Sequence, residues 1–293
     1  MIESISLKSV CDKAASLPCA PVLVPKILAL LDKPEASSAD LSSLISRDPG
    51  TSAAVLRLAN SAYFGRVKCG SLDEAFLRLG TREISRLVIG GIVGRWAAAP
   101  VEGYGWEPGD LCAHSFTVAI ASDLIARERG DPVLIKSAYT AGLLHDIGKL
   151  GMAYACGQHF DLVRKRQEES DLSWRELERE VFGFDHTEVG GALLRRWNFP
   201  LPLVQVVEFY PRPKVVTGPD RALVLLVHAA KNLAINLGVG VGEDGFLNEL
   251  DAPLLLEEGY TAEFFSALVP VIFTEMEKII GPDGKMTFLS EPK

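Results

Sequence analysis

Gly142-Leu143-Leu144-His145-Asp146-Ile147-Gly148-Lys149 is the stretch around which this sequence organises. Ala138, Ala141 and Leu144 lead into it at helical spacing. Asp131-Pro132 marks where that helix begins, because proline at a first helical position loses no needed hydrogen bond. A histidine followed by an aspartate sets a neutral imidazole nitrogen beside a hard carboxylate. Both are good ligands for a divalent ion of middle hardness such as Mn, Fe, Co or Zn. Successive residues on a regular helix diverge by about 100°. The pair therefore meets one ion only where the ion lies beside the helix and other elements close around it.

Helix signals continue outward in both directions. Leu41, Leu44 and Ile45 follow Ser38-Ala39-Asp40. Val55, Leu58, Ala59 and Ala62 form a stripe that Thr51 or Ser52 would cap. Ser71–Glu74, Ser173–Glu176 and Asp185–Glu188 read as capping boxes, and Gly80 and Gly130 as helix stops. His114 lies on a helix with Val118, Ala121, Leu124 and Ile125. Residues 97–110, rich in glycine and proline, read as a lobe boundary, and residues 238–245 as an exposed turn. Phe264, Phe265, Leu268, Val271, Ile272 and Met276 predict one late amphipathic helix. No period-2 strand series and no internal repeat appears, so the fold class predicted is all-α.

The 293 residues, 48% hydrophobic and 23% charged, suit one large domain or two small lobes and exclude bulk disorder. Net charge is −8, unevenly spread. Residues 1–100 hold 12 Lys+Arg against 9 Asp+Glu, and residues 101–293 hold 18 against 29. An acidic average argues against wrapping nucleic acid, which needs dense Lys and Arg. The five cysteines include no CxxC pair, which fits a reducing compartment. The start of the chain lacks a secretory pattern, and apolar runs such as 87–93 and 222–230 are too short to span a membrane. The expectation is a soluble, cytoplasmic protein without membrane contact.

Leu143–Lys149, with His114 upstream, resembles the HD superfamily of metal-dependent phosphohydrolases. Ile45-Ser46-Arg47-Asp48-Pro49, the run Leu56–Gly65, Ala75–Gly80 and Gly183–Gly190 are similar, more closely, to the HDOD (HD-related output domain) family. The resemblance covers about residues 13–235. It implies an N-terminal helical lobe (1–100) packed on an HD-like lobe (105–235), followed by a helical extension (236–293). It also implies a role in bacterial signal transduction through protein contacts, the partners being other signalling proteins.

The resemblance gives His114, His145, Asp146 and His186 as metal ligands, and Asp146 and Lys149 as the groups that would act in catalysis. It also places a last ligand aspartate on a late helix, within residues 227–232. There this chain has Val227-His228-Ala229-Ala230-Lys231-Asn232, with a lysine and no aspartate. Glu208-Phe209-Tyr210-Pro211 stands where the phosphodiesterase branch has paired histidines. The function expected is thus a regulatory output module with a degenerate HD-type metal site. The alternatives are a metal-dependent phosphohydrolase acting on a nucleotide or cyclic di-nucleotide, and a sensor that binds such a ligand without hydrolysis. Arg47, Arg57, Arg66 and Lys68 lie in the net-positive lobe and are candidates for docking an acidic partner or a phosphate. A structural role competes at several positions: Asp146 as a cap on the helix after it, His228 as a core residue, and Asn60-Ser61 as turn formers.

Overall fold

The computed structural model describes residues 5–15, 23–33, 35–47, 49–60, 68–97, 101–247 and 249–279. Among them the elements are helices, joined by turns and one isolated antiparallel bridge between Val101 and Trp106. The fold is all-α. The chain divides into two compact units, one of Met1–Ala20 with Ala97–Phe273, the other of Pro21–Trp96 with Thr274–Lys293.

In chain order, α1 (Leu7–Ala15) belongs to the first unit. The second unit then builds α2 (Leu23–Leu31), α3 (Ser38–Ile45), α4 (Pro49–Ala59) and α5 (Leu72–Leu79), and α6 (Thr81–Ala97) ends at the unit boundary. Ser37 and Asp40 close a reciprocal capping box on α3. Helix α4 begins at Pro49, ahead of the caps expected at Thr51 or Ser52; the Ser52 hydroxyl instead donates to the Ile45 carbonyl at 3.1 Å. Ser71 caps α5, but Glu74 reaches the Gly70 N–H at 2.7 Å, one residue short of a full box. Asn60 holds the backbone of Cys69 from both sides, with Nδ2 donating to its carbonyl at 2.9 Å and Oδ1 accepting its N–H at 2.6 Å. Arg47 and Lys68 are exposed. Arg66, Tyr63, Phe64, Ser61 and the side chains of Arg57 and Trp96 lie outside the described residues.

The first unit resumes with α7 (Asp110–Arg129), α8 (Pro132–Leu144), α9 (Ile147–Cys156), α10 (Phe160–Gln167), α11 (Trp174–Phe182), α12 (His186–Arg196), α13 (Leu201–Phe209), α14 (Arg221–Asn236) and α15 (Ala252–Glu257). Helix α16 (Ala262–Ile279) buries Leu268, Ile272 and Met276 along one stripe and leaves Val271 exposed. Helix α7 is buried almost all round between Leu111 and Ala126, and α14 between Leu223 and Ala234. Together with α8 they form the centre of the unit, as helices without a polar face must. Helix α1 packs on α9 and α12. Cys11, Cys69, Cys112 and Cys156 are buried and form no disulfide. Burial pushes Cys112 up to about 12 and Cys156 to about 11, which keeps both as unreactive thiols.

One unit boundary falls at Ala97, the start of the glycine- and proline-rich stretch 97–110, whereas 238–245 differs from its sequence expectation. Within 101–109, Tyr104 and Trp106 are core residues. Residues 238–245 are not an exposed turn but a strap laid against them. The Glu243 N–H donates to the Tyr104 carbonyl at 3.0 Å, and Trp106 Nε1 donates to Asp244 Oδ1 at 3.0 Å. A Cβ on Gly242 would lie 1.8 Å from the Trp106 ring. Glycine is needed there because any side chain would run into the indole and the Tyr104 carbonyl oxygen.

Asp185 starts α12 and anchors its surroundings. Its Oδ1 accepts the backbone N–H groups of Thr187 (2.9 Å) and Glu188 (3.0 Å), while Oδ2 pairs with Arg179 (2.7 Å) and Arg175 (3.1 Å). Burial alone would raise this carboxyl; His186 and the bonds from Thr187 and Arg179 outweigh it and hold the group far below the usual carboxylate range. Its stabilising contribution is therefore complete above the unfolded-chain value of about 4 and is lost as pH falls toward the depressed folded value. Asp185→Asn keeps the cap and removes the charge. We expect a loss of about 2 kcal/mol at neutral pH in urea unfolding, and a shallower decline of stability below pH ~4. Equal acid sensitivity of variant and parent would contradict this assignment.

Candidate functional site

The site begins at a break between helices. Helix α8 ends at Leu144, His145 keeps helical dihedrals, and Asp146 departs to φ −100°, ψ 16° before α9 starts at Ile147. The departure removes the angular divergence of a regular helix, so both side chains turn inward and His145 Nε2 lies 3.3 Å from Asp146 Oδ2. Asp146 does not cap α9 with its side chain. Its carboxylate is spent on side chains instead of the backbone.

His114, on α7, approaches from the other side, with Nε2 3.8 Å from Asp146 Oδ2. Each imidazole is anchored through Nδ1 to a backbone carbonyl: His114 to Val239 at 2.9 Å, His145 to Gly142 at 2.7 Å. A carbonyl only accepts, so Nδ1 carries the proton and Nε2 of the neutral ring presents a bare lone pair. Both Nε2 atoms are buried without a hydrogen-bond partner. Burial comes first among the causes that push His114 down to about 3, and burial also lowers His145, so both rings are neutral at ordinary pH. One donor atom from each of His114, His145 and Asp146 lies within 4.8 Å of the others, a set able to hold a metal ion. The Nδ1 anchors are the kind that orient metal-binding imidazoles.

Two ammonium groups converge on the same carboxylate. Lys149 Nζ is 2.7 Å from Asp146 Oδ2, and Lys231 Nζ, on α14, is 3.5 Å from it. The other oxygen, Oδ1, accepts the Tyr210 hydroxyl at 2.5 Å, and that hydroxyl in turn accepts from Lys231 at 3.0 Å. Lys149 also bonds Asp244 Oδ2 at 2.5 Å, and its ammonium lies 4.6 Å from the centroid of the Trp106 ring. Burial opposes charge on Asp146, but the ammonium groups of Lys149 and Lys231 help to outweigh it, and the carboxyl is held well below its usual range. Asp244 is lowered against burial by the same two lysines. Burial opposes the charge on Lys149, yet Asp146 and Asp244 raise it overall, whereas burial dominates at Lys231 and brings it to about 8. Near pH 7 the set holds two carboxylates and two ammonium groups, which balance.

His186 stands one step out. Its Nδ1 bonds Glu178 Oε2 at 2.7 Å, and its Nε2 faces the Tyr210 hydroxyl at 3.1 Å and Asp146 Oδ1 at 4.0 Å. It shares Asp146 as a neighbour with the other two histidines, but both of its nitrogens already have partners. His228 is a core residue, with Nδ1 donating to the Tyr210 carbonyl at 2.8 Å. Asp146 and His145 are wholly buried, and Lys149 and His114 are 1% exposed. A neighbouring cleft of about 280 Å³ is lined by Ser173, Trp174, Arg175, His186, Tyr210 and Lys231 among others.

Residues that shape the site but were not singled out as site residues from the sequence are Tyr104, Trp106, Glu178, Tyr210 and Asp244. Glu178 carried a readable signal. It falls with Trp174, Leu177 and Phe182 on the apolar stripe of α11, where a buried acid must have partners; it accepts the Tyr104 hydroxyl at 2.5 Å and the His186 N–H at 2.8 Å. Asp244 carried none, because only the folded strap brings it to Lys149.

The fold and this histidine–aspartate centre define an HD-type helical protein. The HDOD domain profile matches residues 17–213, and the chain belongs to that family. An uncharacterized protein of Treponema pallidum (strain Nichols) is 28% identical over 203 residues, which is 69% of this chain and 39% of that protein. The match thus spans about two fifths of the relative's length. An HDOD domain protein of unknown function from Geobacter sulfurreducens has a TM-score of 0.70 at 23% identity, covering 94% of this chain and 100% of its own. A candidate phosphohydrolase from Shewanella amazonensis SB2B has a TM-score of 0.67 at 27% identity, covering 95% of this chain and 96% of its own. Among the described residues no helix is long and apolar enough to cross a membrane.

Proposed function

We propose that this chain is a signal-transduction output module acting through protein contacts in the cytoplasm, and that its HD-type centre is kept as a charge-balanced structural element. One observation carries the reading: Asp146 is fully buried, both its oxygens are engaged by Tyr210 and Lys149, and a second ammonium stands at 3.5 Å. Metal-assisted hydrolysis needs an ion with an open coordination position and a water beside an acid–base group. The donor atoms suit such an ion, but the charge does not, because the carboxylate it needs is already neutralised from within. The metal therefore does not fit this site as it stands. Arg47 and Lys68 are exposed and are the candidates for docking an acidic signalling partner, with Arg57 and Arg66 in the same stretch of sequence.

The second reading is a phosphohydrolase using Mn, Fe, Co or Zn on a nucleotide or cyclic di-nucleotide, with Lys149 placed for phosphate. The unpartnered Nε2 atoms of His114 and His145 favour it. A non-hydrolysing nucleotide sensor is less well supported, since the neighbouring cleft encloses little space for a nucleotide. Turnover of a generic phosphodiester and of cyclic di-nucleotides with added manganese separates the readings. We expect the wild type to match its His145→Ala variant at background rate. Turnover well above that variant would retire the output-module reading.

A further inference from the structure

Two oriented imidazole lone pairs and a carboxylate oxygen face one another in the first unit, and the charge that binds this set together comes from the chain. The Lys149 ammonium lies between two carboxylates, 2.7 Å from Asp146 Oδ2 and 2.5 Å from Asp244 Oδ2. The contact with Asp146 has the length of a charge-assisted hydrogen bond, and the contact with Asp244 is shorter still. Asp244 arrives on the glycine strap, held by Trp106 Nε1 through its other oxygen. The late helix, where the HD pattern has its last acid, contributes Lys231 instead.

We infer that the Lys149 ammonium takes the place of a divalent cation, that Asp244 supplies the second carboxylate around it, and that the centre is a latent metal site filled by the protein itself. This rests on the reading of the centre as structural and extends it to a specific substitution of one cation by another. Charge decides the match. Without Lys149 and Lys231 the pocket would hold two carboxylates and two neutral imidazoles, a net −2 with nitrogen and oxygen donors. One divalent ion of middle hardness neutralises that set. With both lysines present, the same ion would bring +2 into a buried, already neutral cluster, at a large desolvation cost.

The test compares full-length wild type with Lys149→Met/Lys231→Met by titrating manganese, reading free Mn²⁺ by electron paramagnetic resonance, and by melting each protein with and without the ion. The wild type is expected to bind no stoichiometric manganese and to keep its Tm. The double variant is expected to bind one ion per chain and to gain about 5 °C or more at ~1 mM manganese, because the ion binds only the folded state. Adding His145→Ala to the double variant should abolish both effects. Should the double variant not fold without metal, Lys149→Gln/Lys231→Met, which removes the same two charges, carries the same comparison. One tightly bound manganese on the wild type overturns the inference, as does a folded lysine variant that binds none. Manganese on a wild type that turns nothing over would leave the output-module reading standing; turnover by a metal-free wild type would overturn that reading and leave this one.

Discussion

Replacing Asp146 by alanine is expected to cost about 4 kcal/mol of stability and lower Tm by about 10 °C. Asp146 is the common partner of Lys149, Lys231 and Tyr210, and all of them are buried. Its removal strands Lys231 without a carboxylate within ion-pair distance and leaves Lys149 with Asp244 alone. A buried charge that loses its partner costs far more than the pair contributed, since water cannot reach it. Asp146→Asn should lie between alanine and wild type, because an amide oxygen still accepts the Tyr210 hydroxyl while the charge is gone. Urea unfolding of both variants checks the order. An unchanged midpoint for Asp146→Ala would mean that the carboxylate is held for chemistry and not for structure.

The second large effect concerns the crossing of α9 and α12. A Cβ on Gly148 would sit 1.8 Å from the His186 carbonyl oxygen and 2.7 Å from the Gly190 nitrogen. These are backbone atoms, so no rotamer change relieves the clash, and Gly148→Ala must push the helices apart. The same movement separates His186 from its partners Glu178 and Tyr210. We expect a loss of about 3 kcal/mol, at the upper end for overpacking, with helix content retained. Gly151, one turn on, is a useful contrast, since an added Cβ meets the Val189 and Leu193 side chains and not backbone. Circular dichroism with thermal melting reads both. A Gly148→Ala protein as stable as its parent would contradict the close crossing.

The helices were legible because their signals are local. Asp131-Pro132 opens α8, Ser173–Glu176 and Asp185–Glu188 close capping boxes, and Gly130 stops α7 in a left-handed turn. The histidine–aspartate pair could be read as a candidate centre, and Lys231 as an obstacle to a cation. What could not be read is long-range. Tyr104 meets Glu178 across 74 residues, Trp106 meets Asp244 across 138, and Lys149 meets Asp244 across 95. The glycines of 238–245 have the composition of an exposed turn. In the structure the same lack of side chains lets the strap pack against aromatic rings. Composition alone does not separate those two uses of glycine.

The account turns on which cation neutralises Asp146. Crystals grown with manganese, with data collected for anomalous scattering, test it most directly. We predict no anomalous peak among His114, His145 and Asp146, and the Lys149 ammonium in contact with both Asp146 and Asp244. A manganese peak bonded to Nε2 of both histidines, with Lys149 displaced, would contradict it.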